Sequence, residues 1–410
     1  MEADAQQKVT AALAVRTASR PSPTAIQPRG AEMVRAVPNN RRFPGPSNIE
    51  QLFREQTSIP QPKAACTMPD SQTRFRLDNS LETLYAGRAA DLACTADDPR
   101  SLRAWQVATR RQVKAMLGIA DVPTPRITSR SLLHRRDRGL IEEEKWLVET
   151  DSAPDMPLYL LRPTASSPRG TLLVFHGHNP SVQTILGNYP SKEEQREAEG
   201  RDGNYAQLLA EAGYLVCSVE QRGFGERQSG TPVQDIPNSC RHQSFFYQML
   251  GRTMVGERCL DGKVALDFLT TMENPVSGDI GITGNSGGGT TTLWLAAIDD
   301  RLAVAVPGCY FCSFKESIMD IRHCECNYVP GSAGRLDMGD LAALIAPRPL
   351  RFIQGIMDPI FPIDASRAEF ARTGKAYELL EVSDRISMSE FETGHAYNAG
   401  AAADWFDRWL

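Results

Sequence analysis

The sequence predicts an α/β fold with a mostly parallel central sheet, an antiparallel N-terminal edge, helices on both faces and a helical N-terminal extension. From residue 170 onward, apolar strand-like runs alternate with helical segments, and such βα units build parallel sheets that are covered on both faces. Ahead of them, three strand-like runs follow one another without a helix between them, which favours an antiparallel start. With 410 residues, the chain is long enough to bury a large core.

Composition divides the chain into three regions. Residues 1–70 are rich in Pro, Arg, Ser and Asn and have little periodicity, so we expect an extended or disordered N-terminal arm. Residues 71–125 show helical patterns at Ser80–Cys94 and Pro99–Leu117, and we expect this helical region to pack on the core. Residues 126–410 carry the strand and helix alternation and form the main domain.

The individual elements follow from apolar runs and the turn residues between them. Strands are predicted at Ile127–Leu133, Ile141–Glu149, Pro157–Leu161, 171–175, 214–219, 279–284, 302–307, 350–355 and 377–382. Helices are predicted at about 203–212, 258–272, 289–298, 338–345 and 364–374, with a last amphipathic segment at Ala401–Leu410. The aromatic-rich segment Arg241–Glu257 is interpreted as a helix that faces the core, with part of a cap over the site as the alternative.

Charge and cysteine usage exclude several classes of partner. The net charge of −5 argues against electrostatic binding of nucleic acid or an anionic membrane, and no run approaches the ~20 apolar residues of a membrane span. The N-terminus lacks a secretory signal pattern, which predicts a cytoplasmic protein, although its Arg-rich start leaves organelle targeting open. Nine cysteines without a regular framework indicate a reducing compartment and mostly free thiols.

The segment that is most informative about function is residues 280–290, with the sequence Ile-Gly-Ile-Thr-Gly-Asn-Ser-Gly-Gly-Gly-Thr. A G-x-S-x-G pattern between a strand and a helix is a nucleophile elbow, in which a sharp turn exposes the serine hydroxyl. Ser286 is therefore the predicted nucleophile, and the amide of Gly287 points to where an oxyanion would form. The alternative is a glycine-rich turn in which Ser286 caps the helix.

A serine nucleophile needs a histidine base and a carboxylate that orients it. His395 is the predicted base, because it lies in a polar loop after the last predicted strand. Asp358 is the predicted acid, because it follows the buried run 350–355 at the edge where catalytic groups of open α/β sheets gather. Asp358 could instead only initiate an Asp-Pro turn, and Asp364 is the runner-up acid.

The strand at 171–175 runs into His176-Gly-His-Asn179, where a second oxyanion donor is expected. We assign this donor to the amide of His178 and expect His176 to brace the loop. The loop after residue 307 contains Cys309-x-x-Cys312 and His323-Cys324-x-Cys326, which could bind zinc or form a disulfide, but free thiols that shape the site are favoured. No metal site is predicted. Candidates that line the substrate pocket, with plain packing as the alternative, are Tyr310, Phe311, Tyr328 and Asn179.

With these motifs in order, the sequence resembles the α/β-hydrolase superfamily, in particular its dienelactone-hydrolase and acetylxylan-esterase-like branch. The segments that carry the resemblance are 175–179, 220–226, 250–256, 284–290, 340–349 and Asp358-Pro359. The resemblance implies an α/β-hydrolase catalytic domain at residues 126–410 that cleaves a small-molecule carboxylic ester, such as an acetyl or other short acyl ester. It implies the triad Ser286, Asp358 and His395, an acyl-enzyme and no cofactor.

Several alternatives stay open. The same triad serves acyltransferases, thioesterases, peptidases and C–C bond hydrolases, because the pocket and not the triad selects the substrate. A catalytically inactive hydrolase fold used for binding is a further alternative, although all three triad residues are present. Hydrolases of this branch are often oligomeric, so a homo-oligomer also stays open.

Overall fold

A mixed sheet of nine strands runs through the part of the chain that the computed structural model describes, residues 77–230, 239–273 and 278–410. The predicted arm, residues 1–70, lies outside the described residues. The strands are β1 (Ile127–Asp137), β2 (Ile141–Thr150), β3 (Met156–Pro163), β4 (Thr171–Phe175), β5 (Leu215–Val219), β6 (Ile280–Asn285), β7 (Leu302–Gly308), β8 (Leu350–Gly355) and β9 (Ile386–Phe391).

The order of the strands in the sheet is β1-β2-β3-β5-β4-β6-β7-β8-β9. The pairs β1/β2, β2/β3 and β3/β5 are antiparallel, and the pairs from β5/β4 to β8/β9 are parallel. The predicted parallel sheet with an antiparallel N-terminal edge is therefore confirmed. Strand β6, which precedes Ser286, is an interior strand between β4 and β7.

Helices cover both faces of this sheet. They are α1 (Asp78–Ala86), α2 (Pro99–Met116), α3 (Lys192–Glu199), α4 (Tyr205–Glu211), α5 (Cys240–Met249), α6 (Met254–Thr271), α7 (Gly287–Ile298), α8 (Met338–Ala343), α9 (Ile363–Leu379) and α10 (Ala399–Trp409). Every residue of β4 is buried, and its side chains alternate between two core clusters: Leu173 and Phe175 belong to one, Leu172 and Val174 to the other. A strand that is buried on both sides needs the continuous apolar run seen in the sequence.

The helical region before β1 is attached to the same unit, since residues 76–410 cluster together. Asp98 caps α2 by accepting from the amides of Arg100 and Ser101, and Pro99 occupies the first helical position. The buried side chain of Gln106 donates to the carbonyls of Ala343 and Ala346 at 2.9 and 2.8 Å. These bonds satisfy carbonyl groups at the end of α8 and hold α2 against the core.

Two predicted elements are wrong. The run 377–382 is not a strand, because α9 continues to Leu379 and the last strand is Ile386–Phe391. Tyr377 lies on this helix and is fully buried. Its hydroxyl donates to the carbonyl of Arg348 at 2.8 Å, and this contact stabilises the helical conformation. The segment Arg241–Glu257 is divided between α5 and α6, and its Phe245 and Phe246 side chains are exposed, whereas Tyr247 packs against a small core cluster.

Gly251, with φ of +72°, separates these two helices, and the hydroxyl of Thr253 caps α6 by accepting from the amide of Gly256. Phe246 and Met249 on α5 are 60% and 87% exposed. No helix within the described ranges is both long enough and apolar enough to cross a bilayer.

Candidate active site

Ser286 lies in a strained turn between β6 and α7. Its φ of 57° and ψ of −118° are rare for a residue with a side chain, and such strain is typical of functional positions. Its amide donates to the carbonyl of Gly308 at 2.9 Å, which ties the turn to β7. Ser286 occupies the N-cap position of α7, but its side chain makes no capping hydrogen bond to the helix.

The glycines of the motif permit the close approach of α7 to β4. A Cβ atom on Gly284 would lie 2.5 Å from the carbonyl oxygen of Phe175, and one on Gly288 would lie 2.0 Å from the same atom. Both distances are far below van der Waals contact, so larger residues would push the helix away from the sheet. The sharp turn at Ser286 therefore depends on both positions.

Asp358 and His395 form a hydrogen-bonded pair at the same end of the sheet. His395 Nδ1 lies 2.7 Å from Asp358 Oδ2, and the two side chains are 27% and 1% exposed. The other carboxylate oxygen of Asp358 accepts from the amide of Ile360 at 3.0 Å, so Asp358 also shapes the turn after β8. Phe361 stacks on the His395 ring with the centroids 5.8 Å apart. The runner-up Asp364 is 91% exposed and pairs with Arg367.

The loop of His395 packs on the strands that hold Ser286. The hydroxyl groups of Thr283 and Tyr397 lie 2.5 Å apart, and the ring of Tyr397 lies against Gly308, the residue that receives the Ser286 amide bond. The thiol of Cys309 donates to the carbonyl of Ala396 at 3.2 Å. Among the described residues, no hydrogen bond joins His395 to the hydroxyl of Ser286, so the complete triad stays a prediction.

The loop after β4 lies directly against the elbow. A Cβ atom on Gly177 would come within 3.2 Å of Ser286 Cβ, and one on Gly287 would lie 3.1 Å from the ring of His178. His176 braces this loop: its Nδ1 lies 2.8 Å from the carbonyl oxygen of Gly177, and its Nε2 accepts from the amide of Gln221 at 2.9 Å. Gly287 is the first residue of α7, so its amide has no acceptor within the helix.

The proposed pocket residues separate into two groups. Tyr310 and Phe311 are fully buried in the core, where Trp294 Nε1 donates to the Tyr310 hydroxyl and Phe311 stacks on Phe352. Both residues therefore pack in the core, as in the alternative interpretation, because neither side chain reaches solvent. Tyr328 is 38% exposed and Asn179 is half-buried, so both remain accessible.

The described residues also form an open cleft of about 660 Å³ beside the loop after Asn179. Its lining includes Arg136, Ser181 and Tyr189, and it contains none of the predicted triad residues. This cleft is therefore a feature of the neighbouring surface and not the place where Ser286 would act.

The four cysteines of the loop after β7 do not come together. Cys309 lies beside the Asp358–His395 pair and Cys312 Sγ lies 3.6 Å from the carbonyl oxygen of Pro362, whereas Cys324 and Cys326 contact Cys240 and His178. No disulfide joins the eight described cysteines. Cys240 is 84 residues away from Cys324 in the chain, and no local pattern in the sequence connects them.

His323, which precedes these cysteines, is held by the hydroxyl of Ser317 at 3.0 Å from its Nε2. Burial lowers the pKa of its imidazole to about 4, which keeps the ring neutral near pH 7. This ring is therefore a buried structural group.

Arg222, in the segment after β5, binds side-chain carboxylates and not backbone carbonyls. Its guanidinium binds Asp261 through two bonds of 2.9 and 2.8 Å and also contacts Glu257 and the hydroxyl of Tyr247. Burial alone would lower the pKa of Arg222, but Asp261 and Glu257 raise it above its ordinary value. This ion-pair network fixes the segment after β5 beneath the loop of His176, which contacts Gln221.

No protein-family model matches the chain. Over 266 residues the chain is 29% identical to YtaP of Bacillus subtilis (strain 168), provisionally named as a hydrolase, and the match covers 62% of this chain and 82% of that protein. A protein of Bacteroides fragilis NCTC 9343, provisionally named as an acetyl xylan esterase, is similar in structure with a TM-score of 0.68 at 15% identity, over 82% of this chain and 95% of the other.

Two further solved structures share the architecture. The methylesterase BT1017 has a TM-score of 0.60 at 20% identity, over 80% of this chain and 66% of the other. A glucuronoyl esterase from Solibacter usitatus has a TM-score of 0.53 at 16% identity, over 79% and 97%. With the strand order and the elbow after β6, these similarities identify the fold as that of the α/β-hydrolases, as the motifs predicted.

Proposed function

We propose that the protein is a serine hydrolase that cleaves a small-molecule carboxylic ester through an acyl-enzyme on Ser286. The proposal is supported above all by the buried Asp358–His395 contact at the sheet edge that also holds the strained serine. The structural neighbours named as esterases support ester hydrolysis in particular. Their names differ in the ester, so a short acyl ester is the general class that we propose.

The geometry supports a definite division of roles. Asp358 accepts a hydrogen bond from His395 Nδ1, which leaves Nε2 without a proton and able to act as a base. His395 then takes the proton of Ser286 as the hydroxyl attacks the ester carbonyl, and the amides of His178 and Gly287 stabilise the oxyanion. The same imidazole protonates the leaving alcohol, and water repeats the attack on the acyl-enzyme.

Covalent labelling tests this proposal. We expect a fluorophosphonate probe to label the wild-type chain and not Ser286→Ala, and we expect the variant to lose p-nitrophenyl acetate hydrolysis by on the order of 10⁵–10⁶-fold in kcat. Ser152→Ala is the matched control, because its exposed hydroxyl contacts only Asp151 beside it. Both activities should survive in the control.

The contrary outcome is a folded wild-type chain that neither reacts with the probe nor hydrolyses short acyl esters. This result would support a binding protein with a hydrolase fold. If labelling occurs but thioesters, amides or an acceptor alcohol are preferred over simple esters, the triad stands and the ester assignment fails.

A further inference from the structure

Three thiols and one imidazole meet behind the proposed oxyanion loop. They belong to His178, Cys240, Cys324 and Cys326, and their ligand atoms all lie within 4.8 Å of one another. The loop after β4 supplies His178, the first turn of α5 supplies Cys240, and the short turn around residues 325–327 supplies the remaining two. Three separate parts of the chain thus converge on one point.

Two separations between ligand atoms are close to the edge lengths of a tetrahedral metal site. Cys324 Sγ lies 3.6 Å from Cys240 Sγ, and Cys326 Sγ lies 3.2 Å from His178 Nε2. A zinc ion with bonds of about 2.3 Å to sulfur and about 2.0–2.1 Å to nitrogen holds its ligand atoms roughly 3.5–3.8 Å apart. A small adjustment of the side chains is sufficient to place such an ion at the centre.

The local charge also favours a metal ion. Arg258 is fully buried beside the cluster, where one nitrogen lies 3.2 Å from Cys240 Sγ and donates to the carbonyl of Arg222 at 3.0 Å. Arg258 forms no ion pair with a carboxylate of the described residues, and its Nε has no hydrogen-bond partner there. A buried cation without a counter-charge is costly.

Zinc with three thiolates and a neutral imidazole carries a net charge of −1, which compensates this arginine. A disulfide between Cys240 and Cys324 would instead remove two ionisable thiols and leave only Cys326 to offset the charge of this arginine. It would also shorten the sulfur–sulfur distance to about 2.0 Å.

We propose that His178, Cys240, Cys324 and Cys326 bind one zinc ion in a closed tetrahedral site. Four protein ligands leave no position for water, so the role of the ion is structural. Its effect reaches the active site through His178: Nε2 binds the metal while the Cε1–Nδ1 side of the ring faces Gly287. This last step rests on the proposed function, because it assigns an oxyanion amide to His178, whereas the binding of metal does not.

Metal content is the first measurement. We expect about one zinc per chain after purification without added chelator, and we expect the stripped protein to bind Co²⁺ with the thiolate charge-transfer and intense d–d bands of tetrahedral coordination. Cys326→Ser should lose most of the bound metal and these bands. Cys94→Ser is the matched control, because this half-buried cysteine lies outside the cluster.

Two results would overturn the proposal. One is a folded, reduced wild-type protein that binds neither Zn²⁺ nor Co²⁺ stoichiometrically. The other is a thiol titration of the unreduced, denatured chain that finds a disulfide among the three cysteines. Both readouts are independent of catalysis, so the metal site can stand when fluorophosphonate labelling fails, and it can fail when labelling succeeds.

Discussion

At the scale of single residues, the two candidate acids show how a contact decides between equal chemical groups. Asp358 and Asp364 lie six positions apart, and both follow β8. Asp358 is buried against His395, whereas Asp364 is exposed on the first turn of α9 and pairs with Arg367. Only the first can fix the tautomer and orientation of an imidazole base.

This difference leads to a paired substitution. We expect Asp358→Asn to lower kcat for ester hydrolysis by roughly 10⁴-fold, because an amide at this position favours the wrong tautomer of the base. Asp364→Asn should keep kcat within about twofold, since an exposed carboxylate of this kind contributes little. Steady-state kinetics on one short acyl ester compares them, and equal losses in both variants would contradict the assignment of the acid.

The sequence predicted the proposed triad because each member adjoins a recognisable strand end. Glycines mark the turn at Ser286, and a buried apolar run precedes Asp358. The sequence indicated Cys324 and Cys326 as possible metal ligands but grouped them with other residues, because His178 and Cys240 come from distant segments and approach them only in the folded chain. The aromatic residues Tyr310 and Phe311 were ambiguous for another reason: a large apolar ring suits a pocket wall and a core equally well.

At the scale of elements, the fit of α7 against β4 controls the elbow. Gly288 touches only backbone atoms of the neighbouring strand and loop, which cannot move aside as a flexible side chain can. The other helical glycine of interest, Gly374 in α9, has open space around its Cβ position. Substitution by alanine should therefore have opposite effects on the stability of the protein at the two positions.

We expect Gly288→Ala to destabilise the protein by about 1–3 kcal/mol and to abolish ester hydrolysis, because the helix must shift away from Phe175. Gly374→Ala should stabilise it by up to about 1 kcal/mol through helix propensity alone and should retain activity. Denaturant midpoints and initial rates give both quantities. A Gly288→Ala variant with wild-type stability and rate would show that the elbow does not need this close packing.

Strands β4 to β8 were predicted to within about two residues, because continuous apolar runs and turn residues define them from the sequence alone. The last strand was misplaced for a physical reason. The apolar run that ends α9 fits a strand and a helix equally, and the long-range contact of Tyr377 with Arg348 resolves this ambiguity. Such contacts are not visible in a local pattern.

At the scale of the whole molecule, a half-buried carboxylate links stability to pH. Asp337 caps α8 and accepts from the amides of Phe314 and Met338 at 2.7 and 2.8 Å. Burial, together with the nearby charge of Glu369, raises the pKa of Asp337 to about 7. The folded state therefore holds this proton across a range in which an unfolded chain, with a usual pKa of 3.8, has released it.

The sign of the effect follows from proton linkage. The stabilisation from this group is complete below pH 4 and is lost as the pH rises to about 7, because the folded state binds more protons in this interval. We expect the free energy of unfolding of the wild type to fall between pH 5 and 7.5 relative to Asp337→Asn, by on the order of 2 kcal/mol. Asparagine keeps a carbonyl oxygen for the two amides.

Urea unfolding at the two pH values measures this difference, and the exposed Asp364→Asn should follow the wild type. Parallel pH profiles for the wild type and Asp337→Asn would contradict a proton held at this position.

The order of the site residues along the chain has a consequence for the synthesis of the protein on the ribosome. Ser286 follows the interior strand β6, which pairs with β7. Its proposed partners Asp358 and His395 lie 72 and 109 positions later in the chain and are therefore synthesised after it. A nascent chain whose residue 395 has not yet left the ribosome would thus carry Ser286 without its proposed base. The proposed ester hydrolysis would therefore require synthesis of the chain beyond residue 395.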